Sequence, residues 1–175
     1  MLPGVPLWSG SHRLGPDNAT LAVHTGRSGA AAKAGHDLIL HVTAWEATLE
    51  DSSVELSADS TSLRVQEGTG GIQELGDDDI ENIHKTIDDE VLSRSDIEFR
   101  STQVTETADG VHVEGDLTLV GRTEPIAFDV VSEDGTISAE AVIHQPDWGM
   151  KPYSTLFGAL KVHEDVRVVF EGQSR

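Results

Sequence analysis

The chain contains no cysteine. That excludes a disulfide framework and thiol chemistry, and leaves the compartment unmarked by cysteine usage. Basic residues are scarce: 12 Lys and Arg stand against 31 Asp and Glu, for a net charge of −19. A surface this acidic repels nucleic acid and anionic membrane. It serves solubility at high salt or reflects the host proteome. The acidic residues are spread along the chain, so no acidic interaction arm is indicated. No apolar run approaches the ~20 residues of a membrane-spanning helix, so stable membrane insertion is not expected. The N-terminal MLPGVPLWSGSHRLG has neither a basic start nor a long apolar core, so no signal peptide is read there. A cytoplasmic, soluble protein is the default expectation.

Catalytic and cofactor motifs are also missing. There is no GxSxG elbow, no GxGxxG after a strand and no P-loop. Eight histidines are present: His12, His24, His36, His41, His84, His112, His144 and His163. No two stand at helical i, i+4 spacing, and no HxH occurs. A metal site needs histidines converging on one ion, so neither a metal nor a cofactor is expected. Asp78–Asp79 and Asp88–Asp89 lie on or beside a helix as adjacent pairs. Adjacent helical residues do not face each other, so these are poor acid–base pairs. The residues suggest no named reaction, and the chain is read as a non-enzyme.

What is present is period-two alternation. Val111, Val113, Gly115, Leu117 and Leu119 alternate with His112, Glu114, Asp116 and Thr118, the pattern of a strand with one buried face. Turn residues from Gly121 to Pro125 lead into Ile126, Phe128 and Val130, which alternate with Ala127 and Asp129. The two runs make an antiparallel hairpin. Further strands are predicted over 19–25, 38–50, 54–58, 63–65, 97–104, 137–143 and 166–171. In the long run 38–50 the inward parity switches, which predicts a bulge near Thr43 to Trp45. Ile80, Ile83, Ile87 and Val91 recur at spacings of three and four and predict one amphipathic helix, opened by Asp77, Asp78 and Asp79. No repeat, linker or composition break divides the 175 residues. The expectation is a single all-β domain over 1–175: an antiparallel barrel or sandwich of about eight strands with a helix at one end.

Several segments together resemble the YceI-like family, whose members are lipocalin-like. These are GHDL at Gly35 to Leu38, the helix IENIHKTIDDEVL before IEFRST at Ile97 to Thr102, the hairpin GDLTLVGRTEPIAFDV from Gly115 to Val130, and WGMKPYSTLFGALKVHEDVRVVF from Trp148 to Phe170. The resemblance covers roughly 11–171. It implies an extended antiparallel eight-stranded barrel with an internal apolar tunnel, one amphipathic helix at the mouth, and a polyisoprenoid or related fatty amphiphile bound inside.

Leu38, Leu40, Val42, Leu117, Leu119, Phe128 and Ile137 are the candidate inward residues. An eight-stranded barrel is either filled by such side chains or holds one small ligand, and the sequence leaves that choice open. His36, next to Asp37 and after a permissive Gly35, is a candidate for a ligand head or for a buried network. Trp148, Met150, Tyr153, Leu156 and Phe157 are candidate mouth residues, with Lys151 offering a charge to an anionic head such as pyrophosphate. Two other readings stay open: a structural or stress-related protein with a filled core and a surface partner, and a weak lipid-modifying enzyme using His36. A homodimer through edge strands or the exposed helix face is compatible with the sequence but not required by it.

Overall fold

The computed structural model describes residues 11–29, 36–50, 52–70, 75–155 and 160–173. In chain order the strands are β1 (His12–Leu14), β2 (Ala19–His24), β3 (Arg27–Ser28), β4 (Asp37–Val42), β5 (Trp45–Glu50), β6 (Ser53–Ala58) and β7 (Leu63–Thr69). Helix α1 (Asp77–Thr86) continues into a π-turn, Ile87–Val91. Then come β8 (Ile97–Glu106), β9 (Gly110–Leu119), β10 (Arg122–Glu133), β11 (Thr136–His144), a 3₁₀ turn at Gln145–Trp148, β12 (Ser154–Thr155), β13 (Leu160–Val162) and β14 (Asp165–Gln173). Eleven strands form one antiparallel sheet in the order β1-β5-β6-β8-β9-β10-β11-β14-β2-β4-β7, and β12-β13-β3 form a small second sheet.

The expected count of about eight strands is therefore corrected to eleven in the main sheet. The extra segments arise where long strands bend. The run 38–50 breaks at Thr43 and Ala44, at the site read as a bulge, and its partner breaks at 59–62. Both breaks are held by the same bonds. Thr43 donates its N–H (2.9 Å) and its hydroxyl (2.8 Å) to the Ser62 carbonyl, and Asp59 N–H donates to the Ala44 carbonyl at 2.9 Å. On the far side of the bend β5 pairs with β1 and β6, whereas β4 pairs with β2 and β7. One covalent segment thus reaches both ends of the strand order, and the sheet curls back on itself.

The curled inner face is the core. Val111, Val113, Leu117 and Leu119 of β9 are buried, as alternation requires, along with Leu40 and Val42 of β4 and Ile137 of β11. Gly115 shares this parity for a steric reason. A Cβ there would stand 2.5 Å from the Phe99 ring and 2.5 Å from the Arg100 carbonyl oxygen. The missing side chain lets Phe99 pack over β9, 5.4 Å from Phe128 between ring centroids.

The β9–β10 connection is shorter than the expected Gly121 to Pro125 loop. Only Val120 and Gly121 lie between the strands, with φ of 52° and 75°. Positive φ at both central residues is the hairpin turn that matches strand twist. Pro125 sits in β10 opposite Asp116. The β10–β11 ladder begins only at Val130, so the N–H that proline lacks interrupts no second ladder there.

Helix α1 starts at Asp77, and the Asp79 carboxylate accepts the Gly76 N–H at 3.0 Å. Three aspartates in the first turn complement the helix dipole. The predicted helix to Leu92 instead ends in the π-turn, where Leu92 N–H reaches the Ile87 carbonyl at 2.9 Å.

Replacing Gly115 by Val is expected to destabilise the fold by about 2–3 kcal/mol through overpacking against Phe99 and the Arg100 carbonyl. Urea denaturation of the variant checks this. An unchanged midpoint would show that Phe99 has room to move.

Candidate functional site: an apolar cavity inside the curled sheet

The strands do not fill the space they enclose. A cavity of about 420 Å³ lies between them, within the ~300–1,000 Å³ of small-molecule sites. Its walls come from successive strands, including Leu40 of β4, Phe99 of β8, Leu117 of β9, Phe128 of β10, Ile137 of β11 and Phe170 of β14. Period-two alternation is the reason each strand contributes apolar groups to one side only. Helix α1 and its π-turn close one part of the wall with Ile83, Ile87 and Val91, the residues of its apolar stripe.

Nine of the fourteen candidate residues border this cavity: Leu38, Leu40, Val42, Leu117, Leu119, Phe128, Ile137, Met150 and Tyr153. Tyr153 stands at its edge, 42% exposed. Three others are elsewhere. His36 is half-buried just before β4 and does not line the cavity. Trp148 is buried beside β9, where its indole N–H donates to the Leu117 carbonyl at 2.8 Å. Its aromatic bulk locks the 3₁₀ turn onto the sheet, so its place is in the packing. Lys151 is exposed and borders no part of the cavity. Leu156 and Phe157 lie outside the described residues.

The candidate set omitted wall residues that the structure brings in: Ile83, Ile87 and the polar Asn82, Thr86 and Gln145. The helical members carried a readable signal, since 82 and 86, and 83 and 87, are pairs four apart on one helix face. Gln145 carried none. It is 4% exposed and donates to the His163 carbonyl at 3.1 Å, a bond that exists only once the 3₁₀ turn forms.

His84 lies on α1, and its Nε2 accepts the Val65 N–H of β7 at 3.0 Å. β7 ends the strand order, so this side chain partners an edge amide that no strand among the described residues reaches. Desolvation, with the Arg64 charge assisting, holds the His84 pKa below the ordinary 6.5. Two other histidines bridge strands on the outer face. His112 Nδ1 is 2.7 Å from the Asp129 carboxylate, and His144 Nδ1 is 2.6 Å from that of Asp165. The Asp165 hydrogen bond raises the His144 pKa. Among the described residues, no three His, Asp or Glu side chains are grouped to hold a metal.

The sequence pattern of the YceI-like domain matches residues 24–174. The chain belongs to the YceI-like family. Solved structures agree on the fold. BcnA of Burkholderia cenocepacia superposes with a TM-score of 0.59 at 13% identity, covering 87% of this chain and 94% of that one. Two mutants of the Campylobacter jejuni YceI protein each give a TM-score of 0.50. One is 13% identical over 68% of this chain and 69% of its own, the other 11% over 87% and 81%. No curated protein sequence matches the chain. Among the described residues of this YceI-like protein, no helix is long and apolar enough to cross a membrane.

The two shifted histidines give opposite pH signs. A depressed folded-state pKa favours the neutral form, so the His84 contribution is present above 6.5 and lost as pH falls below it. The His144 contribution is present below 6.5 and lost as pH rises through its raised folded value. Thermal melts from pH 5 to 8 are expected to show His84→Gln flattening the acid side and His144→Gln flattening the opposite side. The same pH profile in either variant as in the parent would refute that variant's assignment.

Proposed function

We propose that this protein binds and carries an apolar chain, a polyisoprenoid or fatty amphiphile, in the lumen of its curled sheet, without chemistry of its own. The observation that carries the proposal is the apolar cavity of about 420 Å³. A barrel interior of this size is either packed or open, and here it is open, which favours a ligand over the filled-core reading. Membership of the YceI-like family supports the same conclusion. The circuit is that of an eight-stranded barrel if each bent pair, β1–β2, β4–β5 and β6–β7, is counted as one strand. The chain then acts as one domain.

The energetics set a minimum ligand. Each buried methylene contributes about 0.8 kcal/mol. About ten are needed to reach the ~8 kcal/mol of micromolar affinity, before the cost of lost ligand freedom. A long flexible chain meets that requirement and a small polar metabolite does not.

Binding of the uncharged fluorophore N-phenyl-1-naphthylamine tests the reading. Ala139 lines the cavity, and the Phe of Ala139→Phe would occupy it; Val142 on the same strand is 62% exposed on the outer face. The parent and Val142→Phe are expected to bind the dye, and a folded Ala139→Phe to bind it at least tenfold more weakly. Equal binding by all three would place the dye outside the lumen and contradict the proposal.

A further inference from the structure

Resting on that reading, we infer that the site selects amphiphiles with an uncharged hydrogen-bonding head, such as a hydroxyl, carbonyl or amide, and rejects phosphate and carboxylate heads, with Asn82 and Thr86 of α1 as the residues that meet the head.

Among the described residues, the uncharged polar side chains bordering the cavity are Thr25, Asn82, Thr86, Gln145 and Tyr153. Glu140 also borders it, but β11 alternation turns its carboxylate to the outer face, 3.4 Å from Arg167. No lysine or arginine is among the lining residues described. Among the described side chains, Arg27, Arg64, Lys85 and Lys151 are engaged or displaced. Arg27 is paired with Asp37 at 3.0 Å, Arg64 donates to the Leu63 carbonyl at 2.8 Å, and Lys85 and Lys151 are exposed away from the wall.

An anionic head entering here leaves water and meets no cation among the described lining residues, and an unpaired buried charge is strongly disfavoured. The surroundings add to that penalty. The helix carrying Asn82 and Thr86 begins with Asp77, Asp78 and Asp79 and runs on to Asp88, Asp89 and Glu90. The chain as a whole carries −19. A neutral head meets no such barrier. Asn82 offers two donors and an acceptor and Thr86 a hydroxyl. Their spacing of four puts both on one helix face, beside the wall residues Ile83 and Ile87. Asn82 is exposed and Thr86 half-buried, so the pair spans the step from solvent to lumen.

The test is displacement of N-phenyl-1-naphthylamine by farnesol and by farnesyl phosphate at 0.15 M NaCl, in the parent and in Asn82→Lys/Thr86→Lys. Farnesol is expected to displace the dye from the parent at a concentration at least tenfold lower than farnesyl phosphate. The double variant is expected to shrink that ratio at least threefold. Farnesyl phosphate matching or beating farnesol in the parent would overturn the head-group inference while leaving the cavity reading intact. A ratio unchanged by the two lysines would overturn the role given to Asn82 and Thr86. If the parent does not bind the dye and neither compound binds, the carrier reading itself fails.

Discussion

The architecture depends on one bend. Thr43 and Ala44 join β4 to β5, and the bend is fixed by backbone bonds to Asp59 and Ser62 in the partner segment. Without it the eleven strands would form an open sheet with two unpaired edges, a template for association with other chains. With it, β5 next to one end and β4 next to the other belong to a single covalent run, and the apolar face is forced inward. β7, one end of the strand order, is met by α1 through His84. The helix is thus more than a cover. It supplies a hydrogen-bond partner where the sheet has none, and the same element presents Ile83 and Ile87 to the lumen.

The molecule divides its chemistry by face. Outward positions carry the acidic residues and the cross-strand pairs His112–Asp129, His144–Asp165 and Arg167–Glu140. Inward positions are almost wholly aliphatic and aromatic. Gly115, by omitting a side chain, lets Phe99 and Phe128 approach each other across the wall. Packed interiors normally leave few voids larger than a water molecule. A void of about 420 Å³ with apolar walls is therefore the feature on which the proposed apolar ligand rests.

Strands and inward faces were legible because period two is written residue by residue. Val111 to Leu119 and Ile126 to Val130 needed no structure to place. The bend near Thr43 to Trp45 was legible as a parity switch, but its consequence, two strands counted as four, was not, since it depends on pairing partners distant in sequence. The site was legible only where it coincides with the strand pattern. Leu38, Leu40, Val42, Leu117, Leu119 and Phe128 follow from alternation. Trp148 and Lys151 lie in a segment without periodicity, and composition there cannot say which side a residue takes. Trp148 went to the packing and Lys151 to solvent. Asn82 and Thr86 were overlooked because polar residues next to an apolar helical stripe read as solvated surface until the neighbouring wall is known.

The most direct test of the central claim is a methyl NMR titration of the Leu-, Val- and Ile-labelled protein with farnesol. The account predicts saturable shifts at the inward methyls of Leu40, Val42, Leu117 and Leu119, with the outward Val142 unmoved. Shifts confined to outward methyls, or none at saturating ligand, would contradict it.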